Sequence, residues 1–362
     1  MILFLYGARR ALGAFLVALA GVVGVFLAID FVDNAPGYGG HGWLPAVLEL
    51  YANKAAVVAY QLAPAALLLG AAIAASTFRQ TREWTAMRAA GLGPWRVAVP
   101  IFAVALAVGG TLVVLNDVVG VRAALRAEEL QAVRFGRGGD MARYMAWRQP
   151  KRWFRGADGR RIYDLRGTLP EGGFQHVTVL EVTPAFQLAR RIDAGRMTPA
   201  GTSGEWVLED VEDRTFLPDG GIRLERWPSH VYAFPEPPGT FSVAPGRPSQ
   251  LRWQTLVHQI GLRKRLGLPS APFELERYNR LAYPLAGVPG VLLAVALALR
   301  SNRKGHISAA LLEAVGISLL FWGAQGITMA LGLSGRVVPW MAAWLPNVAF
   351  LALGVTAVQR TK

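Results

Sequence analysis

The chain has 362 residues, of which 53% are hydrophobic and 17% are charged, and it contains no cysteine. The lack of cysteine excludes disulfides, so the domain outside the membrane must be held by its core. The formal net charge of +14 lies largely in short basic segments beside apolar stretches, so it indicates membrane topology and gives no case for nucleic-acid binding.

Six apolar segments are predicted to be membrane-spanning helices. Each is close to the ~20 residues that a helix needs to cross the hydrocarbon layer. Three segments open the chain and three close it, and nothing between residues 117 and 278 reaches that length, a layout typical of a membrane transporter. The predicted spans cover residues 11–29, 55–76, 97–115, 281–299, 307–331 and 337–358.

Basic residues in the short loops predict the orientation, because Lys and Arg beside a span resist translocation. One face of the predicted topology carries most of them, including Arg9, Arg10 and Arg79, whereas the opposite short segments carry only Lys54 and Arg336. Both termini are therefore predicted to be cytoplasmic, with the central domain outside. A cleaved signal peptide is the alternative interpretation of the first span, but its apolar run is long and ends without a small-residue cleavage site.

The central segment is predicted to be mainly β. Residues 117–135 are predicted to continue the third span as a polar helix, and from about residue 144 the hydrophobic period approaches two. Short strands separated by Gly- and Pro-containing turns suggest an antiparallel sandwich or open barrel, with a jelly roll favoured. A linker at 235–248 and an amphipathic helix at 251–266 follow. The predicted strands are 151–154, 160–165, 176–182, 186–192, 205–208, 214–217, 222–227 and 230–234.

Catalytic motifs are missing from the sequence. It contains no P-loop, no H-E-x-x-H and no G-x-S-x-G, and its five histidines are scattered singly. We therefore predict a chain that is not an enzyme, with no catalytic residues, no metal ligands and no cofactor of its own.

The loop between the second and third predicted spans is the most specific local feature. Arg82, Glu83, Met87 and Arg88 have helical spacing, and Gly91 is a predicted helix stop. A short charged helix at about residues 80–91 suits docking to a soluble partner. It suits equally an ordinary interfacial helix whose basic residues only fix topology.

Four motifs in this order resemble the lipopolysaccharide-export permease family, whose F and G members pair with a cytoplasmic ATPase dimer. Residues 82–91 (REWTAMRAAG) resemble its coupling-helix motif, and residues 277–285 (RYNRLAYPL) the start of its fourth helix. Residues 339–347 (PWMAAWLPN) are similar to the signature of its last helix, and residues 204–216 to a strand pair of its jelly roll. Residues 29–33 and 85–87 favour the G-type subunit.

The resemblance implies a domain organisation, a location and partners. Residues 1–135 would hold helices 1–3 and the coupling helix, 136–248 a periplasmic jelly roll, and 249–362 a connecting helix and helices 4–6. The chain would be a multi-pass protein of the inner membrane of a Gram-negative bacterium. Its partners would be an ATPase dimer that binds ATP and Mg, a second six-helix permease, periplasmic bridge proteins of similar β fold, and lipopolysaccharide.

The resemblance also implies roles for particular residues. Lipopolysaccharide would be extracted from the outer leaflet and passed to the bridge by way of the jelly roll, and Glu83 would contact the ATPase together with Arg82, Met87 and Arg88. Glu313 in the fifth predicted span is either functional or paired near the helix end. The substrate-binding candidates are Lys54, Arg277, Arg280 and Asp33, whose basic members also suit interfacial anchoring, and the lateral-gate candidates are Phe26, Phe31 and Phe321.

Two other functions are consistent with the layout. A membrane-anchored scaffold or assembly factor would need no ATPase and no cavity between subunits. Another ATP-driven permease would transmit force to periplasmic proteins without carrying lipid, although six spans with strands between the third and fourth weigh against such permeases with four spans.

Overall fold

A computed structural model of the chain folds into two compact units. The helical unit contains residues 1–144, 248–253 and 271–362, and the β unit contains residues 145–247 and 254–270. The structure describes residues 2–40, 42–136, 153–156, 159–169, 173–201, 204–217, 219–236, 241, 247–265, 269–300 and 307–361.

Long apolar helices make up the helical unit. Within the described residues, five helical stretches are long and apolar enough to cross a membrane, and a bent pair of helices raises the number to as many as six. The helices in chain order are α1 (Ile2–Asn34), α2 (Trp43–Gln80), α3 (Glu83–Ala89), α4 (Trp95–Leu115), α5 (Val121–Glu129), α6 (Trp253–Arg265), α7 (Ala271–Ala282), α8 (Gly287–Arg300), α9 (Ile307–Leu333) and α10 (Pro339–Gln359).

The bent pair replaces the straight fourth span that the sequence predicts at 281–299. Helices α7 and α8 meet at an angle of 43°, and the turn between them contains Pro284, which has no N–H to continue a helix. The predicted span therefore begins inside one helix and ends in another. Six crossings stay a prediction.

The third span continues as a polar helix, as the sequence predicts. Helix α4 runs through a π-helical turn at Asn116–Gly120 into α5, and a second π-helical turn follows at Leu130–Arg134. Such turns insert one residue into a helix and often mark functional positions. The first of them contains Asp117.

Small residues let the helices approach closely. A Cβ atom on Gly70 of α2 would lie 2.7 Å from the Cα atom of Phe15 in α1, and one on Gly287 would lie 2.9 Å from the carbonyl oxygen of Pro64. Close backbone contact at glycine is a common way for membrane helices to associate. Three glycines of α9, Gly316, Gly323 and Gly326, instead face open space.

The described part of the β unit contains one antiparallel sheet whose six strands are neighbours in chain order. Among the described residues the strands form a meander, and a jelly roll stays a prediction. The strands are β1 (Trp153–Arg155), β2 (Arg161–Leu169), β3 (Gly173–Val182), β4 (Leu188–Pro199), β5 (Glu205–Phe216) and β6 (Ile222–Ala233).

Two predicted strand pairs were wrong, because residues 205–208 and 214–217 lie in one strand, as do 222–227 and 230–234. Strand β5 continues through its acidic run, in which Val211 and Asp213 are buried. Strand pairing passes from Glu209–Ser229 to Val211–Trp227, so Pro228 lies where the ladder is interrupted and no N–H is needed. Residues 151–152 and most of the predicted linker lie outside the described residues.

The two faces of the sheet differ in chemistry. One face packs a core in which Tyr163, Trp206 and Ile192 are fully buried, closed by Phe241 and by Leu262 of α6. The other face carries Thr178, Asp193, Glu212 and Arg226 in register across four strands. This alternation is what a sheet with one buried face requires.

Candidate functional site

Helix α3 has one buried face and one exposed face. Trp84 and Met87 are buried in the core of the helical unit, and their i, i+3 spacing puts them on the same side of the helix. Arg82, Thr85 and Arg88 are exposed. The helix ends as predicted at Gly91, which has a φ of 77° and bonds to the carbonyl oxygen of Arg88. Arg82 and Arg88 are therefore available to a partner, whereas Met87 faces the core of its own chain.

Glu83 begins α3 and is held by three side chains. Arg10 of α1 donates from Nη1 to both carboxylate oxygens at 3.0 Å, Thr81 donates at 2.6 Å and Tyr6 donates at 3.3 Å. Burial alone would raise the pKa of Glu83, but the hydrogen bonds from Thr81 and Arg10 hold that pKa below its ordinary value. Glu83 is thus a charged carboxylate near neutral pH.

Arg10 is also held by aromatic rings. Its guanidinium lies 4.9 Å from the ring centroid of Phe78 in α2 and 5.6 Å from that of Tyr6, distances suited to cation–π attraction. The side chains of Arg10 and Glu83 are 22% and 32% exposed. This partly buried pair joins α1 to the start of α3.

A second polar cluster lies at the other end of α1. Lys54 Nζ and Tyr51 Oη both contact Asp30 Oδ2 at 2.7 Å, and the Tyr38 and Tyr51 hydroxyls are 3.1 Å apart. The side chain of Lys54 is 15% exposed. Lys54, predicted to bind lipid phosphate, therefore already has a carboxylate partner in its own chain.

Arg280, whose side chain is 5% exposed, lies at the centre of a third polar cluster. Its Nε donates to Glu276 at 2.9 Å, its Nη2 donates to the carbonyl oxygens of Pro248 and Ser249 at 3.1 and 2.9 Å, and its Nη1 lies 3.7 Å from Asp117. Asp117 in turn accepts the N–H of Trp253 at 2.7 Å. The cluster joins α7, the π-helical turn and residues 248–253, where the chain returns to the helical unit.

The remaining predicted residues lie apart from one another. The Arg277 guanidinium lies 5.6 Å from the ring of Tyr278 and 6.0 Å from that of Trp253, and Asp33 is exposed. Phe26 and Phe31 are exposed on α1, whereas Phe321 is buried and its ring packs 5.2 Å from that of Phe350. These contacts decide no coupling, substrate or gate role, so those roles stay predictions. Glu313, for which the sequence allows either a functional role or pairing near the helix end, is exposed on α9.

A groove of about 780 Å³ crosses the charged face of the sheet. Its lining contains three arginines and three acids, and Arg191 and Arg226 already pair with Asp193 and Glu212. The groove therefore has no net charge that would favour an anionic head group.

Sequence reasoning missed Arg10, Trp84 and Asp117. Trp84 has a local signal, because it lies three residues before Met87 on what becomes the buried face of α3. Arg10 lies 73 positions from Glu83 and Asp117 lies far from Arg280, so neither pair has a sequence spacing that would reveal it. The positive-inside rule accounts for arginines at helix ends by membrane orientation alone, so it gives no reason to look for a partner side chain.

A comparison with known families decides what kind of protein carries these features. The sequence model of the family described as "Lipopolysaccharide export system permease LptF/LptG" matches residues 5–360. The chain belongs to this family. It is similar to the lipopolysaccharide export system permease protein LptG of Haemophilus influenzae, with 21% identity over 361 residues that cover 96% of this chain and 95% of that protein.

Membership of the LptF/LptG family confirms the resemblance that the four motifs indicated. With its apolar helices, the chain is a multi-pass permease for lipopolysaccharide export. Two of those motifs coincide with clusters described above: residues 82–91 contain α3 and Glu83, and residues 277–285 contain Arg280. The third begins α10, where Asn347 donates to the carbonyl oxygen of Ala282 in α7 at 2.9 Å.

Proposed function

We propose that this chain is the G-type permease subunit of an ATP-driven transporter in the inner membrane. It would extract lipopolysaccharide from the outer leaflet and pass it through the β unit to a periplasmic bridge. Family membership supports lipopolysaccharide as the cargo. The observation that carries the ATP-driven part is the geometry of α3, which is anchored by Trp84 and Met87 and presents exposed residues between two apolar helices.

The chain would act as a transmitter of force. ATP and Mg would be bound by a separate cytoplasmic ATPase dimer that contacts the exposed face of α3, in particular Arg82 and Arg88. Lipopolysaccharide would enter between this chain and a second six-helix permease. The proposed gate uses the exposed apolar surface of α1, which includes Phe26 and Phe31, against the fifth helix of the partner.

The β unit would receive the cargo in the periplasm. Among the described strands of its sheet, β1 and β6 form the two edges. Edge strands expose unpaired main-chain groups that a strand of another protein can join. We propose that the periplasmic bridge proteins attach in this way. We also propose that both termini of the chain lie in the cytoplasm.

Purification from the native membrane tests this function. We expect a P-loop ATPase and a second permease to accompany the chain, and Arg88→Glu to reduce the bound ATPase because it reverses a charge on the exposed face of α3. Arg360→Glu is the matched control, since Arg360 is also exposed but lies at the end of α10. The amount of each partner is measured by quantitative mass spectrometry.

The transport step is tested by reconstitution. The complex in proteoliposomes should release lipopolysaccharide to an acceptor only when ATP is supplied. A chain that purifies without an ATPase and releases no lipopolysaccharide would contradict the permease function and favour a membrane-anchored scaffold.

A further inference from the structure

The Glu83 carboxylate already has three donors inside its own chain: Arg10, Thr81 and Tyr6 all contact Oε1, and Arg10 also contacts Oε2. A carboxylate has about four lone-pair sites, and the contacts from Arg10, Thr81 and Tyr6 reach both of its oxygens. A cationic residue of an ATPase would have to share Oε2 with Arg10 or compete with all three donors at Oε1. The exposed face of α3 therefore offers Arg82 and Arg88 to a partner more readily than it offers Glu83.

The pair connects two segments that are each held firmly. On one side, Trp84 and Met87 bury α3 in the helical core. On the other side, a Cβ on Gly7 of α1 would lie 2.9 Å from Pro100, so this end of α1 packs closely on α4. The guanidinium of Arg10 is further held over the ring of Phe78. A displacement of α3 is thus transmitted to α1 directly through the Arg10–Glu83 ion pair.

We propose that Arg10 is a positioning residue that ties the coupling helix to α1 through Glu83, so that α3 and the first turns of α1 move as one body. The inference rests on the proposed function, because it assigns to the ATPase-driven helix a direct connection to the proposed gate helix. Glu83 acts here inside the permease. The ATPase contacts fall to the exposed residues of α3.

The first test separates coupling from assembly in the reconstituted complex. The variants are Arg10→Gln, Glu83→Gln and the charge swap Arg10→Glu with Glu83→Arg. Arg9→Gln is the control, since it removes the same charge from an exposed neighbouring position. The measured quantities are the amount of bound ATPase, the rate of ATP hydrolysis, and the lipopolysaccharide released per ATP hydrolysed.

We expect the two single variants to keep the ATPase bound and to lower the lipopolysaccharide released per ATP by about fivefold, as for loss of one partly buried charged hydrogen bond. The swap should recover most of that loss, and Arg9→Gln should resemble the unmodified chain. The proposal is overturned if Arg10→Gln keeps the full ratio, or if Glu83→Gln removes the ATPase while Arg10→Gln does not.

A covalent lock tests whether the two elements move together. The chain has no cysteine, so Arg10→Cys with Glu83→Cys creates the only thiol pair, which a short reducible bis-thiosulfonate reagent can bridge. We expect the cross-linked double variant to transport lipopolysaccharide at least as well as the same variant before cross-linking. Transport that stops on bridging and returns on reduction would overturn the proposal, because α3 would then have to separate from α1.

The proposed function fails in a different way. If the unmodified chain binds no ATPase and releases no lipopolysaccharide, the permease function is wrong. If it does both, and Arg10→Gln behaves as Arg9→Gln does, only the link is wrong. A double-mutant cycle on the thermal stability of the purified chain reads the Arg10–Glu83 interaction without any partner, and zero coupling there overturns the link whatever the outcome for transport.

Discussion

The two units of this permease use charge in opposite ways. In the described part of the helical unit, most ion pairs join different helical segments, as Arg10–Glu83, Lys54–Asp30 and Arg280–Asp117 do, and these three pairs are partly buried. The pairs of Arg126 with Glu49 and Glu129 are exposed. In the β unit every described ion pair joins residues of one strand or of two neighbouring strands, as Arg191–Asp193 and Arg226–Glu212 do. An ion pair of the helical unit therefore has few neighbouring interactions that could replace it. An ion pair of the β unit has other contacts between the same strands.

The difference follows from how the backbone is satisfied. Neighbouring strands are fixed by main-chain hydrogen bonds, so an ion pair across them adds to a register that already exists. Helices satisfy their main chains internally, and only side chains and close packing set their relative positions. A single polar residue should therefore matter more in the helical unit than in the β unit, and the predictions below test that ranking.

The largest effect is expected at Arg280. Arg280→Gln would leave Glu276 and Asp117 without their buried cation, and removing one partner of a buried pair costs about 3–5 kcal/mol. We expect a large loss of purified monodisperse chain and a lower thermal midpoint in detergent. Arg280→Lys should recover only part of the loss, because an ammonium lacks the fork that reaches both Glu276 and the carbonyl oxygens of residues 248 and 249.

Arg277→Gln is the control for that prediction. Arg277 belongs to the same motif but is less buried and lies over the rings of Trp253 and Tyr278, so a small change is expected. Equal losses for the two arginines would show that the motif acts as a whole and that burial of Arg280 is not the reason for its importance.

An intermediate effect is expected at the Lys54–Asp30 pair. If Lys54 binds a phosphate of the cargo, Asp30 competes for its charge, and Asp30→Asn should strengthen retention of lipopolysaccharide by about fivefold, corresponding to roughly 1 kcal/mol for a partly exposed pair. The amide still accepts the Tyr51 hydroxyl, so the fold is kept. The measurement is lipopolysaccharide bound per mole of purified complex.

Two further variants decide how that result is interpreted. Lys54→Gln in the Asp30→Asn background should abolish the gain, and Asp33→Asn, a charge removal one turn along α1 at an exposed position, should leave retention unchanged. A gain in all three variants would mean that any loss of negative charge at this end of α1 attracts the anionic cargo, without a specific role for Lys54.

The sequence predicts the layout better than the contacts. The apolar runs, the polar extension of the third helix, α3 with its Gly91 stop, and the strand-rich centre all follow from composition and period. The bend before Gly287 does not, because other prolines of the chain, such as Pro64 and Pro100, lie inside continuous helices. The continuity of β5 does not either, because buried Val211 and Asp213 lie in an acidic run. Both outcomes depend on tertiary neighbours.

The candidate site shows the same limit. Helical spacing placed Glu83, Met87 and Arg88 on one short helix, but it could not show that Met87 faces the core or that Glu83 is held by Arg10. Charged residues at helix ends have a general explanation in membrane topology, so their specific partners are invisible until the helices are packed. For the same reason, the sequence does not reveal that Lys54 and Arg280 have carboxylate partners in their own chain.

The smallest effect is expected in the β unit, at Asp193. Burial would raise the pKa of this carboxyl, but hydrogen bonds from Arg191 and Thr178 and the charge of Arg214 hold it below its ordinary value. The folded pKa is thus below the unfolded one, so the stabilisation is present above about pH 4 and is lost as the pH falls through the folded pKa. Asp193→Asn should cost about 1 kcal/mol or less, because Arg214 keeps its contact with Glu212.

Hydrogen exchange of β4 and β5 amides in the whole chain measures that effect, after correction for the intrinsic exchange rate. Protection in the unmodified chain should exceed that in Asp193→Asn at pH 6, and the two should converge as the pH falls toward 3. A constant difference across this range would show that the carboxylate acts through its shape and hydrogen bonds alone. A difference as large as that of Arg280→Gln would contradict the ranking itself, since it would show that redundancy between neighbouring strands does not protect the sheet.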